Sequence, residues 1–183
     1  MRKIKLLLYS LLCFSQTGCL KSDSNGFFIF KIKKGNHRSV NRIQRTSSDE
    51  LNFSLILTES CKYESKDPQN QYDVNKVFGM SDGGDHKENS ARIGWRYVGD
   101  KIELHAYTHY NGNFDFKKIC DIDAEKEYQC QISFLENEYQ FIVNGVSVYM
   151  PRYKNSDKKK YLLYPYFGGD EVAPHDMILK IKF

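Results

Sequence analysis

The sequence predicts an all-β protein whose strands form an antiparallel sandwich. Apolar and polar residues alternate with a period of two over much of the chain, which is the pattern of a strand with one buried face. The chain contains 13 Tyr and 12 Phe, and aromatic residues are enriched in strands. Turn residues separate the alternating segments, and no segment has the 3.6-residue period of a helix. Short, regular strands joined by turns indicate two packed sheets.

Each predicted strand follows from this alternation. Apolar residues recur at every second position from Phe28 to Ile32 and again from Leu51 to Leu57. The turn residues Gly99 and Asp100 predict a hairpin between two neighbouring strands, and Asn144 followed by Gly145 is the strongest short hairpin signal in the chain. The predicted strands after Leu57 are 91–97, 102–110, 128–134, 139–143, a strand beginning at 146, 161–167 and 177–183.

The first 18 residues have the pattern of a secretory signal segment. Three basic residues precede an apolar run from Leu6 to Phe14, which is about half of the ~20 residues that a membrane-spanning helix needs. The segment therefore predicts export and removal rather than a membrane span. The formal net charge of the chain is +4, and the signal segment carries three of these charges. The remaining domain is nearly neutral, which argues against a nucleic-acid partner.

The residues that follow the apolar run resemble a bacterial lipobox. Small residues, Thr17 and Gly18, precede Cys19, although Gln16 stands where a Leu is usual. The resemblance implies lipidation of Cys19, a tether over 19–26, a folded domain over 27–183 and a membrane-anchored location in the bacterial cell envelope, in the outer membrane or facing the periplasm. The alternative is an ordinary cleaved signal peptide in which Cys19 has no role.

Three cysteines remain in the predicted domain. Cys120 and Cys130 flank a polar loop, so a hairpin there would place them opposite each other and allow a disulfide. Cys61 pairing with either of them is an alternative, and three reduced thiols are another.

Two segments resemble parts of known jelly-roll domains. The stretch from Tyr139 to Val146 looks like a strand-turn-strand element of concanavalin-like and laminin-G-like domains, and the segment from Tyr164 to Met177 resembles the end of the same superfamily. The resemblance implies a concanavalin-like jelly roll. This superfamily includes lectins, glycan-binding modules, glycosidases and polysaccharide lyases, so the fold alone does not decide the chemistry.

Two long segments between the strands contain many polar residues. The segment from Gly35 to Ser48 carries Arg38, Arg42 and Arg45, and it is either an arm for acidic glycans or lipid headgroups, or a solvated edge. The segment from Lys62 to Ser90 is predicted to be irregular, and a loop of this length in a compact domain is usually functional or disordered.

Strand alternation predicts one polar sheet face with the residue types of a glycan site. The hydrogen-bonding and aromatic side chains on this face are Arg92, Arg96, Glu103, His105, Tyr107 and His109. Tyr164 and Tyr166 are added as aromatic platforms, whereas Trp95 lies on the opposite, core face. This set also resembles that of jelly-roll enzymes of the alginate-lyase type, which neutralise a uronate carboxylate and use His and Tyr as base and acid. If the protein is an enzyme, the resemblance implies His105 and Tyr107 as the proton-transfer pair and Arg92 or Arg96 as the group that neutralises the carboxylate. The alternative is an outer sheet face stabilised by cross-strand pairs.

Two glycine-rich turns suggest a calcium site. Asp82 and Asp85 flank one Gly-Gly pair, and Asp170 and Glu171 follow another. Oxygen ligands on flexible backbone suit calcium, which is the only cofactor that the sequence suggests. The alternative is that these acids cap backbone amides in tight turns.

The sequence favours a lipid-anchored envelope protein that binds a carbohydrate without transforming it. A polysaccharide lyase or hydrolase of jelly-roll type is the first alternative, and a structural or protein-interaction lipoprotein is the second. The expected partners are the membrane, through the lipid, and a glycan.

Overall fold

A computed structural model describes residues 21–153 and 159–183. The signal segment and Cys19 lie outside these residues. The described chain forms two six-stranded antiparallel sheets, with the core between them, as the sequence predicted. The strands are β1 Phe28–Ile32, β2 Arg45–Thr46, β3 Glu50–Leu57, β4 Asn75–Ser81, β5 Ser90–Val98, β6 Lys101–Tyr110, β7 Asn113–Ile122, β8 Glu127–Phe134, β9 Glu138–Val143, β10 Val146–Pro151, β11 Lys160–Leu163 and β12 Met177–Lys182.

The sheets are assembled from distant parts of the chain. The first sheet has the strand order β1-β12-β3-β8-β9-β10, and the second has the order β2-β11-β4-β5-β6-β7. Two short 3₁₀ helices, Glu59–Cys61 and Pro68–Tyr72, lie between β3 and β4. Within the described ranges, no helix is long and apolar enough to cross a membrane.

Alternation in the sequence becomes alternation in burial. In β3, Leu51, Phe53, Leu55 and Leu57 are buried and the residues between them are exposed or half-buried. Trp95 is fully buried, as its place on the apolar face of β5 predicted. Such burial contributes roughly 1.5–3 kcal/mol for each large apolar side chain, so these strands stabilise the sandwich through their inner faces.

The two predicted hairpins form with the turn geometry that their residues favour. Asn144 and Gly145 both have positive φ, at 43° and 87°, between β9 and β10. Gly99 and Asp100 have φ of 57° and 61° between β5 and β6. Positive φ at both central residues matches the right-handed twist of the flanking strands.

Several strands differ from the prediction. β4 lies inside the segment 62–90, which was predicted to be irregular. The strand is buried on both faces, so its sequence shows no alternation from which it could be predicted. The first half of β7 is exposed on both faces, so it has no pattern to recognise. The strand predicted over 161–167 ends at Leu163.

The predicted Cys120–Cys130 disulfide is wrong. Cys120 lies in β7 and Cys130 in β8, and these strands belong to different sheets instead of forming a hairpin. All three cysteines of the described domain, including Cys61, are free thiols. Burial raises the pKa of Cys61 to about 12, so its unreactive thiol form persists at neutral pH.

Candidate functional site: a cationic cleft on the second sheet

Strand register arranges the outer face of the second sheet in rows. The first row runs from Tyr161 in β11 through Ser81, Ser90 and His109 to Phe114 in β7. The second row contains Leu163, Gly79, Arg92, Tyr107 and Phe116. Neighbouring strands lie about 4.8 Å apart, so Tyr161 and His109 have their backbones roughly 14 Å apart, with two serines between them.

Small residues in β4 and β5 open a cleft along these rows. Ser81 and Ser90 are fully buried and contribute only short side chains to the first row. In the second row, a Cβ at Gly79 would overlap the backbone oxygen of Ala91 and lie 2.7 Å from Cγ of Arg92, closer than such atoms can approach. Glycine at position 79 therefore leaves room for the Arg92 side chain.

The walls of the cleft come from the two long segments that interrupt the strand pattern. Arg38 forms a backbone bridge with Tyr166, so the basic arm 35–48 runs beside the sheet and is ordered against it. The loop 82–89 between β4 and β5 contributes Gly84, His86 and Lys87 to the lining. Together with the sheet, these segments enclose about 600 Å³, which is enough for more than one sugar ring.

The lining of this cleft is strongly cationic. Five of its residues are Lys or Arg, namely Arg38, Arg42, Lys76, Lys87 and Arg92. No Asp or Glu belongs to the lining in the part of the chain that the structure describes. A concave surface with one sign of charge attracts ligands of the opposite sign, so the cleft is suited to a polyanion.

Arg92 lies in the cleft without a counter-ion. Its side chain is only 7% exposed, and its Nε has no hydrogen-bond partner. Among residues 21–153 and 159–183, no carboxylate pairs with its guanidinium group. Burial lowers the pKa of Arg92 to about 10, so the group stays charged at neutral pH. Because an unpaired buried charge destabilises a fold, its presence indicates a ligand-binding role.

Lys76 provides a second cation beside Arg92 that has no ion-pair partner among the described residues. Its Nζ lies 4.3 Å from the centroid of the Tyr107 ring, within the range of a cation–π contact. Burial and the charge of Arg92 lower the pKa of Lys76 to about 8, although Asp73 opposes the shift. Lys76 is therefore mostly charged at neutral pH and loses its charge in mildly alkaline solution.

Tyr161 and His86 form a proton-sharing pair. The Tyr161 hydroxyl lies 2.7 Å from Nδ1 of His86 and accepts the backbone N–H of the same residue at 3.3 Å. Burial raises the pKa of Tyr161 and lowers that of His86, so both groups are neutral at pH 7. A neutral phenol can give a proton to a leaving oxygen, and a neutral imidazole can accept one.

His109 is a second neutral imidazole in the cleft. It is half-buried, and its Nδ1 lies 3.3 Å from Oγ of Ser90. Burial is the largest cause that lowers the pKa of His109 to about 4, and Arg92, His86 and Lys76 lower it further. The ring therefore has no net charge at neutral pH and can accept a proton.

Comparison with known proteins identifies the fold. No family model and no curated protein matches the sequence. Among solved structures, the alginate lyase AlyC3 has a TM-score of 0.60 at 9% identity, over 88% of this chain and 75% of that one. The marine PL7 alginate lyase AlyA1 from Zobellia galactanivorans has a TM-score of 0.52 at 14% identity, over 88% and 80%. The laminarinase catalytic domain from Thermotoga maritima MSB8 has a TM-score of 0.57 at 12% identity, over 86% and 75%.

The fold is a concanavalin-like jelly roll. The resemblance expected from the sequence is thereby confirmed for the fold. The expectation of a non-catalytic carbohydrate-binding protein is corrected, because these structural neighbours are lyases and glucanases. The catalytic alternative agrees better with them and with the proton-transfer groups of the cleft.

The structure divides the predicted polar face into two regions. All six predicted residues lie on one face, as the strand alternation predicted, and Arg92, Tyr107 and His109 line the cleft. Arg96 and Glu103 lie further along the strands, in an ion pair of 2.5 Å.

His105 is not part of the cleft, which corrects its predicted catalytic role. It is 1% exposed, and its Nε2 lies 3.1 Å from Glu103. Glu103 also pairs with Lys118, and these contacts with cationic and imidazole groups lower its pKa to about 2 despite burial. This cluster satisfies its own charges and has the contacts of a structural network, the alternative that the sequence left open.

The two predicted tyrosine platforms have different environments. Tyr166 is half-buried and stacks on His37, with ring centroids 5.2 Å apart, at the wall of the cleft. Tyr164 borders the cleft, but its ring packs against Phe30 and Phe78 in the core and its hydroxyl bonds Gln44. Tyr164 is therefore a core residue and not an exposed platform.

The predicted calcium ligands are engaged by protein donors. The buried Asp82 accepts hydrogen bonds from Tyr139 and from Nε and Nη2 of Arg152. Asp85 accepts the backbone N–H of Lys87. No group of three or more His, Cys, Asp or Glu side chains in the described ranges is arranged to hold a metal.

The second predicted turn also uses its acid within the protein. Glu171 accepts the backbone N–H groups of Lys66 and Asp67, and these bonds lower its pKa. The neighbouring Asp170 is not brought together with Asp82 or Asp85 in a metal-binding group. The described residues therefore do not bring the four predicted calcium ligands together. The turn-capping alternative describes Asp85, whereas Glu171 binds amides of the distant segment that begins at Lys66.

Sequence reasoning did not assign to the site Tyr161, His86 and Lys76, which line the cleft, or Ser90, which is buried beside His109. Tyr161 was recognised only as the start of a strand, and His86, Lys76 and Ser90 were assigned to the long irregular segment or its end. A prediction of β4 would have placed Lys76 on the sheet. The contact between Tyr161 and His86 joins residues 75 positions apart, so no local pattern signals it.

Proposed function

We propose that this protein is a polysaccharide lyase that cleaves a uronate-containing glycan by β-elimination. The observation that carries this proposal is a cleft with five cationic side chains, neutral tyrosine and histidine groups and no lining carboxylate among the described residues. Cations can bind and neutralise the uronate carboxylate, and the neutral groups can move protons.

Arg92 and Lys76 are the groups that would bind the uronate carboxylate. Both are cationic, at least partly buried, and lack a carboxylate ion pair among residues 21–153 and 159–183. Neutralising this carboxylate makes the proton on the adjacent carbon, C5, easier to remove, because the resulting negative charge spreads onto the carboxyl group. In a partly buried site, such cations act more strongly than they do in water.

His109 and Tyr161 complete the reaction. His109 accepts the C5 proton, the electrons of that C–H bond form a C4–C5 double bond, and the bond from C4 to the glycosidic oxygen breaks. Tyr161 donates its proton to the leaving oxygen, and the resulting phenolate regains a proton from solvent. His86, 2.7 Å from the phenol, can relay this proton by giving its Nδ1 proton to the phenolate while Nε2 takes one up from water, and His109 releases the C5 proton to solvent. The step consumes no water and leaves an unsaturated uronate at one chain end.

Within the described residues, the lining of this cleft lacks the acidic groups that hydrolysis needs. Glycosidases usually use two carboxyl groups about 5.5 Å apart when they retain configuration, and about 6.5–9.5 Å apart when they invert it. No Asp or Glu is found among the described residues that line the cleft. The neighbours thus favour polysaccharide cleavage in general, and the cleft chemistry favours elimination over hydrolysis.

One aromatic strip extends the cleft toward the sheet edge. The rings of Tyr107 and Phe114 are parallel within 11°, with centroids 6.0 Å apart. Phe114 is 64% exposed and Phe116 is 37% exposed. Sugar ring faces can stack on such rings, so further sugars of the chain are proposed to lie over Phe114 and Phe116.

The proposal is tested by incubating the domain 26–183 with a panel of uronate polymers and, as a control, neutral laminarin. Lyase action increases near-ultraviolet absorbance, because each cut creates a conjugated unsaturated uronate. The expected result is an increase with at least one uronate polymer and none with laminarin. New reducing ends without absorbance would indicate a hydrolase and contradict the proposal.

We further propose that the enzyme is anchored by a lipid on Cys19 and acts at the bacterial cell envelope. The lipobox-like sequence before Cys19 supports this, and the polar tether to residue 26 would hold the domain near the membrane. Cys19→Ser is expected to move the full-length protein from the membrane fraction to the soluble fraction. Membrane retention of this variant would contradict the anchor.

A further inference from the structure

Ser90 lies between the two imidazole groups of the cleft. It faces His109 across the β5–β6 pair and is fully buried. Its Oγ lies 2.7 Å from the backbone carbonyl oxygen of His86 and 3.3 Å from Nδ1 of His109. One hydroxyl group therefore contacts both histidines, His86 at its backbone oxygen and His109 at a ring nitrogen.

The donors and acceptors of these contacts allow one arrangement of protons. A carbonyl oxygen can only accept, so the Ser90 hydroxyl donates its single proton to His86. The Ser90 oxygen can then only accept from His109, which requires a proton on Nδ1 of that ring. A neutral imidazole has one N–H, so Nε2 of His109 has a free lone pair.

We propose that Ser90 is a positioning residue that holds His109 in the tautomer with an unprotonated Nε2, the form that can take a proton from the glycan. The role of this tautomer in catalysis rests on the proposed function, whereas the tautomer itself is a property of the free protein. After proton transfer, His109 is an imidazolium whose Nδ1–H still bonds to Ser90. The hydrogen bond therefore does not have to be broken during the reaction.

Burial, and after it the charges around His109, determine how many protons the ring carries, and Ser90 determines where the proton lies. Arg92 from β5, Lys76 from β4 and His86 from the loop disfavour the imidazolium form, whereas Asp85 from that loop favours it. Burial also disfavours the charged ring. The balance lowers the pKa, so near neutral pH the ring carries one proton.

Proton–nitrogen NMR spectra of the histidine side chains test the tautomer directly, with His109→Gln used to assign the signals. The wild-type domain is expected to show a protonated Nδ1 and an unprotonated Nε2 at His109 near neutral pH. Ser90→Ala is expected to shift the signals toward the other tautomer, and Ser90→Thr, which keeps the hydroxyl, to restore the wild-type form.

Ser81→Ala is the matched control for loss of a buried hydroxyl. Ser81 is equally buried and lies beside Ser90 in the same row, but its Oγ accepts the backbone N–H of Tyr161. The His109 signals are expected to keep their wild-type tautomer pattern in Ser81→Ala. A protonated Nε2 in the wild-type protein would overturn the proposal, and this spectrum decides the question even if Ser90→Ala fails to fold.

Kinetics give a second readout. Ser90→Ala is expected to lower kcat at least about 10-fold, with little change in KM. The loss should not exceed the roughly 10²–10⁴-fold that a general base contributes in full. Equal kcat values in folded Ser90→Ala and wild type would overturn the catalytic role of Ser90. If the wild type has no lyase activity but shows the expected tautomer, the proposed function fails and the tautomer assignment stands.

Discussion

The hydroxyl of Tyr161 is held by two atoms of His86, accepting the backbone N–H at 3.3 Å and sharing a hydrogen bond of 2.7 Å with Nδ1. Two contacts to one residue fix the direction of the phenol, and both residues line the cationic cleft. A strand residue and a loop residue that are far apart in sequence thus form one proton-transfer unit.

Removing the Tyr161 hydroxyl is expected to remove most of the lyase activity. Tyr161→Phe keeps the ring but has no proton for the leaving oxygen, so kcat should fall roughly 10²–10⁴-fold. Tyr149→Phe is the matched control, because Tyr149 is on β10 of the other sheet, where its hydroxyl accepts a hydrogen bond from Gln140. Initial rates of absorbance increase measure both variants, and equal losses in the two would argue against a specific role.

Two arginines of β5 are expected to behave in opposite ways when replaced by Met. Arg92 has no counter-ion in the part of the chain that the structure describes, so Arg92→Met should raise the free energy of unfolding by about 1 kcal/mol. The same variant should raise KM roughly 10- to 100-fold, the value of a charged hydrogen bond. Arg96 pairs with Glu103, so Arg96→Met should lower the free energy of unfolding by about 1–3 kcal/mol.

Urea unfolding and steady-state kinetics measure this contrast. A large loss of stability in Arg92→Met would show that its guanidinium group has a structural partner, and an unchanged KM would exclude it from substrate binding. Arg96 lies outside the cleft lining, which makes it a control of the same residue type on the same strand.

The charge on Lys76 predicts the alkaline limb of the pH profile. Its pKa is lowered to about 8, so the ammonium group is present below that pH and is lost above it. Binding of a uronate should weaken as the charge disappears, and kcat/KM should therefore fall as the pH rises through about 8. Lys76→Arg keeps its charge in this range and should move the fall to higher pH. The same alkaline limb in both proteins would exclude Lys76 as its cause.

The exposed aromatic strip predicts a dependence on chain length. Phe114→Ala and Phe116→Ala should each raise KM for a long polymer about 2- to 10-fold, as expected for the loss of one stacking contact of about 0.5–1.5 kcal/mol. The same variants should act on the shortest cleavable oligosaccharide like the wild type, because it does not reach the strip. Tyr149→Ala, an exposed aromatic residue on the other sheet, is the control and should change neither value. An equal effect on long and short substrates would contradict the extended site.

The parts of the fold that the sequence predicts are those with one buried face. The alternation in β3 and the turn at Asn144 and Gly145 identify their strands and hairpin because local patterning matches local burial. The strand β4 is buried on both sides and includes Gly79, so its residues carry no alternating signal. The role of Gly79 in making room for Arg92 follows only from the packing of β5 against β4 in the structure.

The candidate site is predictable only as a face. Alternation places Arg92, Tyr107 and His109 on the same side of the sheet as Arg96 and His105, and the register confirms this. Which of them line a cleft depends on where the basic arm and the loop 82–89 pack, and those contacts join residues far apart in the sequence. The residue types on this face therefore suggested a glycan site. Only tertiary packing separates the cleft from the ion network around Glu103.

The origin of the oxygen at the new chain ends tests the central claim most directly. The wild-type domain is incubated in ¹⁸O-labelled water with the uronate polymer that gives the largest absorbance change, or with every polymer of the panel if none changes the absorbance. The product masses are measured by mass spectrometry at short reaction times, before the oxygen of the new reducing ends exchanges with the solvent. β-Elimination predicts unsaturated oligosaccharides whose cleavage introduced no solvent oxygen. Saturated products that carry solvent oxygen, or no product from any uronate polymer with folded protein, would contradict the assignment as a lyase.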